Sequence, residues 1–96
     1  MPAQTAAFLQ RGVAVLGSEL AGLRALRVPR EQSNTYSVAL SSLAREVTIL
    51  TDTARDLARG ADPLTEIKVL QKRLAPVEAA ADAAWRTLGV PACVSR

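Results

Sequence analysis

Histidine is absent from this sequence of 96 residues, and cysteine, phenylalanine, tyrosine and tryptophan each occur only once. Without histidine, the chain lacks the commonest general base near neutral pH and the commonest neutral metal ligand. It also contains no Glu-x-x-His pair, no Cys-x-x-Cys pair and no glycine-rich phosphate loop. The sequence therefore predicts no catalytic residue, no metal site and no bound cofactor.

The carboxylates do not supply an acid–base site in place of histidine. Asp52 and Asp56 share the charged face of a predicted helix with Arg55 and Arg59. Exposed pairs of this kind contribute about 0.5 kcal/mol or less each. We therefore expect surface ion pairs at these positions.

The chain also lacks a long hydrophobic run and a continuous basic stripe. The stretch from Gly12 to Leu26 is the most apolar, but Glu19 and Arg24 interrupt it, and a membrane span needs roughly 18 apolar residues. No signal peptide is evident at the start of the sequence. The twelve basic and nine acidic residues are mostly interleaved, so nucleic acid is not an expected partner.

What the sequence does contain is a heptad-like apolar repeat in three segments. Apolar residues recur at alternating spacings of four and three, which places each set on one helix face. The sets are Leu9, Val13, Leu16, Leu20 and Leu23; Tyr36, Leu40, Leu43, Val47, Leu50, Ala54 and Leu57; and Ile67, Leu70, Leu74, Val77, Ala81, Ala84 and Leu88. We call this stripe the seam, and it predicts helices at about 4–27, 33–59 and 63–88, with a tail at 89–96.

The first two predicted helices have recognisable ends. Pro29 should end the first helix, because the residue before a proline avoids the helical conformation. Ser33 or Asn34 is expected to cap the second helix. Gly60 suits the left-handed position that follows its last turn.

The third predicted helix is bounded in the same way. Asp62 is expected to cap its first turn, where Pro63 loses no hydrogen bond, and Gly89 is expected to end it. Pro76 lies inside this helix and is expected to kink it.

Three glycines, Gly12, Gly17 and Gly22, lie inside the first predicted helix. Each costs up to about 1 kcal/mol of helix stability relative to alanine. Either another helix backbone approaches closely at these positions, or the helix tolerates them; the sequence leaves both open.

Together these features predict a single all-α domain, an antiparallel up-down-up three-helix bundle. Four apolar residues, Phe8, Val15, Ile49 and Val69, fall at the c position of their heptads, outside the seam. Scattered exposed apolar residues are normal. The alternative is a second contact surface, which a further helix or a second copy of the chain would cover.

The single Trp, Tyr and Cys residues are the remaining landmarks. Trp85 is expected either in the core or as an anchor for a ligand or partner. Tyr36 continues the seam, with its hydroxyl group toward the helix end. Cys93 is a buried small hydrophobe, a fortuitous thiol, or half of a disulfide whose partner is absent from this sequence.

The ending Ala-Ala-Trp-Arg-Thr-Leu-Gly-Val-Pro-Ala-Cys, at 83–93, resembles the "A…LG…C" ending of small helical lipoproteins and secreted or membrane-anchored proteins of actinobacteria. Pro29 before a long helix, and Gly60-Ala61-Asp62 before the last one, are similar to the layout of that family. Ten arginines against two lysines suit a genome of high GC content. The resemblance covers roughly residues 8–93.

This resemblance implies export, an N-terminal signal or membrane anchor, and a cysteine near the start that pairs with Cys93. The sequence contains no signal, anchor or second cysteine. Either the chain is the soluble portion of a longer protein, with Met1 as an introduced start, or the disulfide bond to Cys93 has been lost. Membrane association would then need a segment outside this chain. The family implies no enzymatic activity.

Two functions follow as hypotheses. The first is a non-catalytic structural or protein-interaction domain outside the cytoplasmic membrane, with a protein partner or a second copy bound at Phe8, Val15, Ile49 and Val69. Without the resemblance, the expected location is the cytoplasm. The alternative is a helical carrier or sensor that holds a small apolar ligand between its helices.

Overall fold

A computed structural model describes the backbone of residues 2–90 and the side chains of residues 4–90. Its helices are α1 (Pro2–Ala25), α2 (Ser33–Ala58) and α3 (Pro63–Leu88), with a 3-10 turn at Arg30–Gln32 before α2. The described chain contains no β-strand. The short connections make neighbouring helices antiparallel, so the predicted up-down-up three-helix bundle is confirmed.

The predicted helix ends are confirmed at Gly60 and Gly89, which have φ angles of +96° and +75°. Each glycine follows the last helical turn, where two hydrogen bonds satisfy carbonyl groups of that turn. After α2, the Gly60 N–H donates to Leu57 O and the Ala61 N–H donates to Asp56 O. After α3, the Gly89 N–H donates to Arg86 O and the Val90 N–H donates to Trp85 O.

Asp62 caps α3 as the sequence predicts. Its Oδ2 accepts hydrogen bonds from the Thr65 backbone N–H at 3.0 Å and from the Thr65 hydroxyl at 2.8 Å. Because these bonds favour the charged carboxylate, they lower the pKa of Asp62 below its ordinary value.

The predicted cap of α2 is wrong. Neither Ser33 nor Asn34 precedes the helix; α2 begins at Ser33, and Gln32 before it makes no capping side-chain hydrogen bond. The Ser33 hydroxyl instead donates to the Arg30 carbonyl at 2.9 Å. The 3-10 turn that follows Pro29 therefore leads directly into α2 and takes the place of a cap.

α2 is the central helix of the bundle. Close backbone approaches are concentrated in the α1–α2 and α2–α3 pairs. Two buried clusters join α2 to α3. The first contains Ala39, Ala81, Ala84 and Trp85, with Leu23, Tyr36 and Leu88 packed against it, and the second contains Ile49, Leu70 and Val77, with Leu50, Ile67 and Leu74. Through Leu23, α1 reaches the first cluster as well.

The sequence places Ile49 outside the core, and this prediction is wrong, because the side chain is only 5% exposed. As the central helix, α2 needs a contact surface for α3 in addition to the seam. A second buried row supplies it, and its members are Ala39, Ser42, Ile49 and Thr53. The Thr53 hydroxyl donates to the Ile49 carbonyl at 3.0 Å, so this polar group is satisfied although it is buried.

α3 continues through Pro76 as one helix. Pro76 has no N–H to donate to the carbonyl of Lys72, four residues earlier. Both residues are exposed, so this carbonyl lies on the solvent side of α3. Within the described residues, no helix combines the length and apolar character that crossing a membrane requires.

Candidate functional site

An open groove of about 350 Å³ runs along one side of the bundle, with α1 and α3 as its walls and α2 as its floor. All three helices contribute side chains to it. The groove is lined by Leu16, Glu19 and Leu23 of α1, by Leu43, Glu46 and Leu50 of α2, and by Leu74, Glu78, Ala81, Asp82 and Trp85 of α3. We refer to this feature as the groove.

The groove combines leucines with carboxylates in a regular way. On α1, Glu19 lies three residues after Leu16 and four before Leu23; on α2, Glu46 has the same spacing from Leu43 and Leu50. In a helix, residues three and four apart are neighbours on one face. Each Glu is therefore held among the leucines that line the groove.

This Leu-x-x-Glu-x-x-x-Leu spacing is visible in the sequence. A seam defined by apolar residues alone missed the carboxylates, because it assigned charged residues to the opposite face. Two occurrences of the same spacing, in separate predicted helices, are the signal that could have identified Glu19 and Glu46.

The α3 wall has a related pattern, in which Leu74, Glu78, Ala81 and Trp85 follow one another at spacings of four, three and four. Asp82 adds a fourth carboxylate to the groove. No Lys or Arg is among the described residues that line it. The groove therefore joins apolar walls to a concentration of negative charge.

Negative charge placed against apolar walls acts more strongly than on an open surface, because less water screens it. Glu19, Glu46 and Asp82 are partly buried, whereas Glu78 is exposed. Across residues 2–90, the carboxylates form no cluster that could hold a metal ion.

Trp85, which lines the groove, makes an aromatic contact with Tyr36. Trp85 is only 8% exposed, and its ring meets Tyr36 edge to face, with centroids 6.3 Å apart and planes at 80°. The Tyr36 hydroxyl donates a hydrogen bond to the Leu23 carbonyl near the end of α1. The predicted orientation of Tyr36 is thus confirmed, and Trp85 is a core residue that also lines the groove.

Two of the predicted interface residues lie beside the groove. Phe8 is 67% and Val15 is 60% exposed. Together with Gly12 and Glu19 they form a row at spacings of four, three and four, which we call the α1 row. Because Glu19 lines the groove, the row extends the groove wall toward the start of α1.

The other predicted interface residues do not join this surface. Ile49 is buried between α2 and α3. Val69 is 44% exposed and lies four residues before Arg73, whose Nη2 is 3.9 Å from Oδ2 of Asp52. Val69 therefore belongs to the side of α3 that carries this ion pair, away from the groove. Cys93 lies outside the described residues.

No family model, curated protein or solved structure matches this chain. Its function is therefore inferred from its own chemistry.

Proposed function

We propose that this chain is a non-catalytic protein-interaction domain, the extracytoplasmic part of a secreted or membrane-anchored protein. The observation that carries the proposal is the exposure of Phe8 and Val15 in the α1 row, which reaches the groove at Glu19. Contiguous exposed apolar surface on a small domain is typical of a binding site. A polypeptide that covers this surface would bury both side chains.

The non-catalytic part of the proposal is supported by the side chains available. The sequence has no histidine, and the charged residues of the groove are all carboxylates. The proposed location is supported by the resemblance of residues 83–93 to the ending of exported actinobacterial proteins. The genomic sequence upstream of Met1 tests this location: a signal or anchor segment that includes a cysteine supports it, and an ordinary cytoplasmic start contradicts it.

Site-specific photo-crosslinking in the source organism tests the interaction. A photoreactive amino acid at Phe8 should give one defined heavier species, whose mass distinguishes a second copy from another protein. The same amino acid at Val69 is the matched control, since Val69 is exposed but lies away from the groove. Absence of a product from Phe8, or an equal yield from Val69, would contradict the proposal.

A second candidate function is the binding of a small apolar ligand in the groove. The volume of about 350 Å³ and the lining by Leu16, Leu43, Leu74 and Trp85 favour it. The four carboxylates that line the groove weigh against it, because a purely apolar ligand would have to cover polar groups. Native mass spectrometry of protein purified without detergent tests this candidate, which requires a co-purifying ligand at a ratio of one to one.

A further inference from the structure

We propose that α1 is the interface of a homodimer, in which the α1 helices of two copies pack antiparallel about a two-fold axis at Val15. The inference rests on the proposed interaction function and names a second copy of this chain as the partner.

α1 is the most apolar of the three helices and also the least buried. Among the described residues, α1 buries only Ala6 and Leu20, whereas α2 buries seven residues and α3 buries five. A helix with apolar residues on more than one face is normally covered on more than one side. The outer face of α1 therefore lacks a neighbour within the described chain.

The uncovered residues of α1 recur on one face at heptad spacing. Phe8 and Val15 of the α1 row are followed seven residues later by Gly22, and steps of seven return to nearly the same helix face. Phe8 is 67% and Val15 is 60% exposed, and no atom lies within 4 Å of the point that a Gly22 Cβ would occupy. This face rises about 21 Å from Phe8 to Gly22, with a large side chain at one end and an open position at the other.

The order of these residues makes the face complementary to itself. In an antiparallel pair, residues equally far before and after Val15 lie opposite one another. Phe8 of each copy then covers Gly22 of the other, where the missing side chain lets the ring approach the backbone. The two Val15 side chains meet at the axis. Large side chains thus face small ones at both ends of the contact, as close helix packing requires.

Charge favours the same arrangement. Arg11 lies four residues before Val15, and Glu19 lies four residues after it. An antiparallel pair sets Arg11 of one copy level with Glu19 of the other, whereas a parallel pair sets like charges level with each other. Glu19 already has an interaction within the chain, so this preference rests on the sign of the nearby charges and needs no new ion pair.

A second copy meets these conditions with a single surface, because each copy supplies both the ring and the open position. Two-fold dimers with such self-complementary interfaces are the commonest assemblies of identical chains. A contact between one pair of helices is small beside the area of about 1,200 Å² or more that stable interfaces bury. We therefore expect a dissociation constant in the micromolar range.

Sedimentation equilibrium tests the dimer. A concentration series of about 10–500 µM brackets a micromolar dissociation constant. Across it, the apparent mass should rise from the 10.2 kDa of one chain toward twice that value.

Two variants break the fit from opposite sides. Phe8→Ala leaves a gap over Gly22, and Gly22→Phe sets two rings against each other, so each variant alone should associate more than tenfold more weakly. Mixed together, the two variants again place a ring against a small residue at both contacts, and their heterodimer should form with an affinity close to that of the unmodified chain. Val69→Ala is the matched control and should leave association unchanged. Circular dichroism verifies that each variant folds.

The orientation of the helices has a test of its own, in a Cys93→Ser background. Arg11 and Ser18 are both exposed, and an antiparallel pair brings Arg11 of one copy beside Ser18 of the other. Mild oxidation should link Arg11→Cys to Ser18→Cys in a mixture. Neither variant should link to itself, because two copies of either position lie about 9 Å or more apart along the helix axis.

The inference is overturned if the chain stays monomeric throughout the concentration series, or if mixing Phe8→Ala with Gly22→Phe restores no association. Equal weakening by Val69→Ala, or self-linking of Arg11→Cys, overturns it as well. The proposed function fails separately. A photo-crosslinked product from Phe8 with the mass of another protein, from a chain that stays monomeric, would retain the interaction domain and reject the second copy.

Discussion

The hydroxyl of Tyr36, in the first turn of α2, donates a hydrogen bond to the backbone carbonyl of Leu23, in the last turn of α1. The Leu23 carbonyl also accepts from the Leu26 backbone N–H at 3.2 Å, so Tyr36 is a second donor to this carbonyl and comes from the neighbouring helix. The ring of Tyr36 also meets Trp85 of α3. One side chain thus joins all three helices.

Tyr36→Phe should lower the free energy of unfolding by about 1 kcal/mol, because it removes this hydrogen bond and retains the ring. Tyr36→Ala also removes the contact with Trp85 and should cost more, about 3 kcal/mol or above. Urea denaturation followed by circular dichroism measures both. Equal stability of Tyr36→Phe and the unmodified chain would show that the hydrogen bond contributes nothing.

The burial of Ile49 gives a prediction about the central helix. Ile49→Ala should cost about 2–5 kcal/mol, because it opens a cavity among Leu70 and Val77 of α3. Val69→Ala is the matched control on the exposed side of α3 and should change stability by about 0.5 kcal/mol or less. Urea midpoints compare the two variants. Similar losses at both positions would contradict the two-sided packing of α2.

Replacement of glycine by alanine should change the stability of the chain in opposite directions at Gly22 and Gly89. Gly22 lies within α1 and has no atom within 4 Å of the point that a Cβ would occupy, so Gly22→Ala should stabilise the chain by up to about 1 kcal/mol through helix propensity. Gly89 has a φ angle of +75°, where a Cβ is unfavourable, so Gly89→Ala should destabilise by about 1–2 kcal/mol. Thermal unfolding of both variants checks the signs, and a loss of stability from Gly22→Ala would contradict the open space around it.

Titration of the Asp62 carboxylate should make the stability of the chain depend on pH in the acid range. Hydrogen bonds from Thr65 lower its pKa in the folded state, so its contribution is present above the unfolded pKa of about 3.9 and is lost as pH falls through the folded pKa. Asp62→Asn retains a capping oxygen but cannot titrate. The stability advantage of the unmodified chain over this variant should therefore narrow below about pH 4. Chemical denaturation at a series of pH values measures the difference, and a constant difference would exclude Asp62 as the cause.

The helices could be predicted closely because their boundaries depend on local chemistry. Gly60, Asp62 and Gly89 act within one turn of their own positions, and the structure confirms each of them. The start of α2 could not be predicted in the same way. Ser33 is a good capping residue by type, but the 3-10 turn after Pro29 makes it a helical residue whose hydroxyl bonds backward to Arg30.

The candidate site was predictable only in part. Phe8 and Val15 were identified because apolar residues outside a seam are conspicuous, and both are exposed beside the groove. Glu19 and Glu46 were missed, because a charged residue in an amphipathic helix usually faces solvent. Their position in the groove depends on neighbouring helices that are far apart in the sequence.

The sequence by itself determined that the chain forms three helices, where most of them end, and that they pack antiparallel, because apolar spacing, capping residues and short connections act locally. Only the tertiary structure decided that α2 is central, that Ile49 is buried while Val15 is exposed, and that the carboxylates of three helices meet in one groove. Val15 and Ile49 both occupy the c position of their heptads. Their burial differs because α2 has a neighbour on each side, whereas the corresponding face of α1 has none among the described residues.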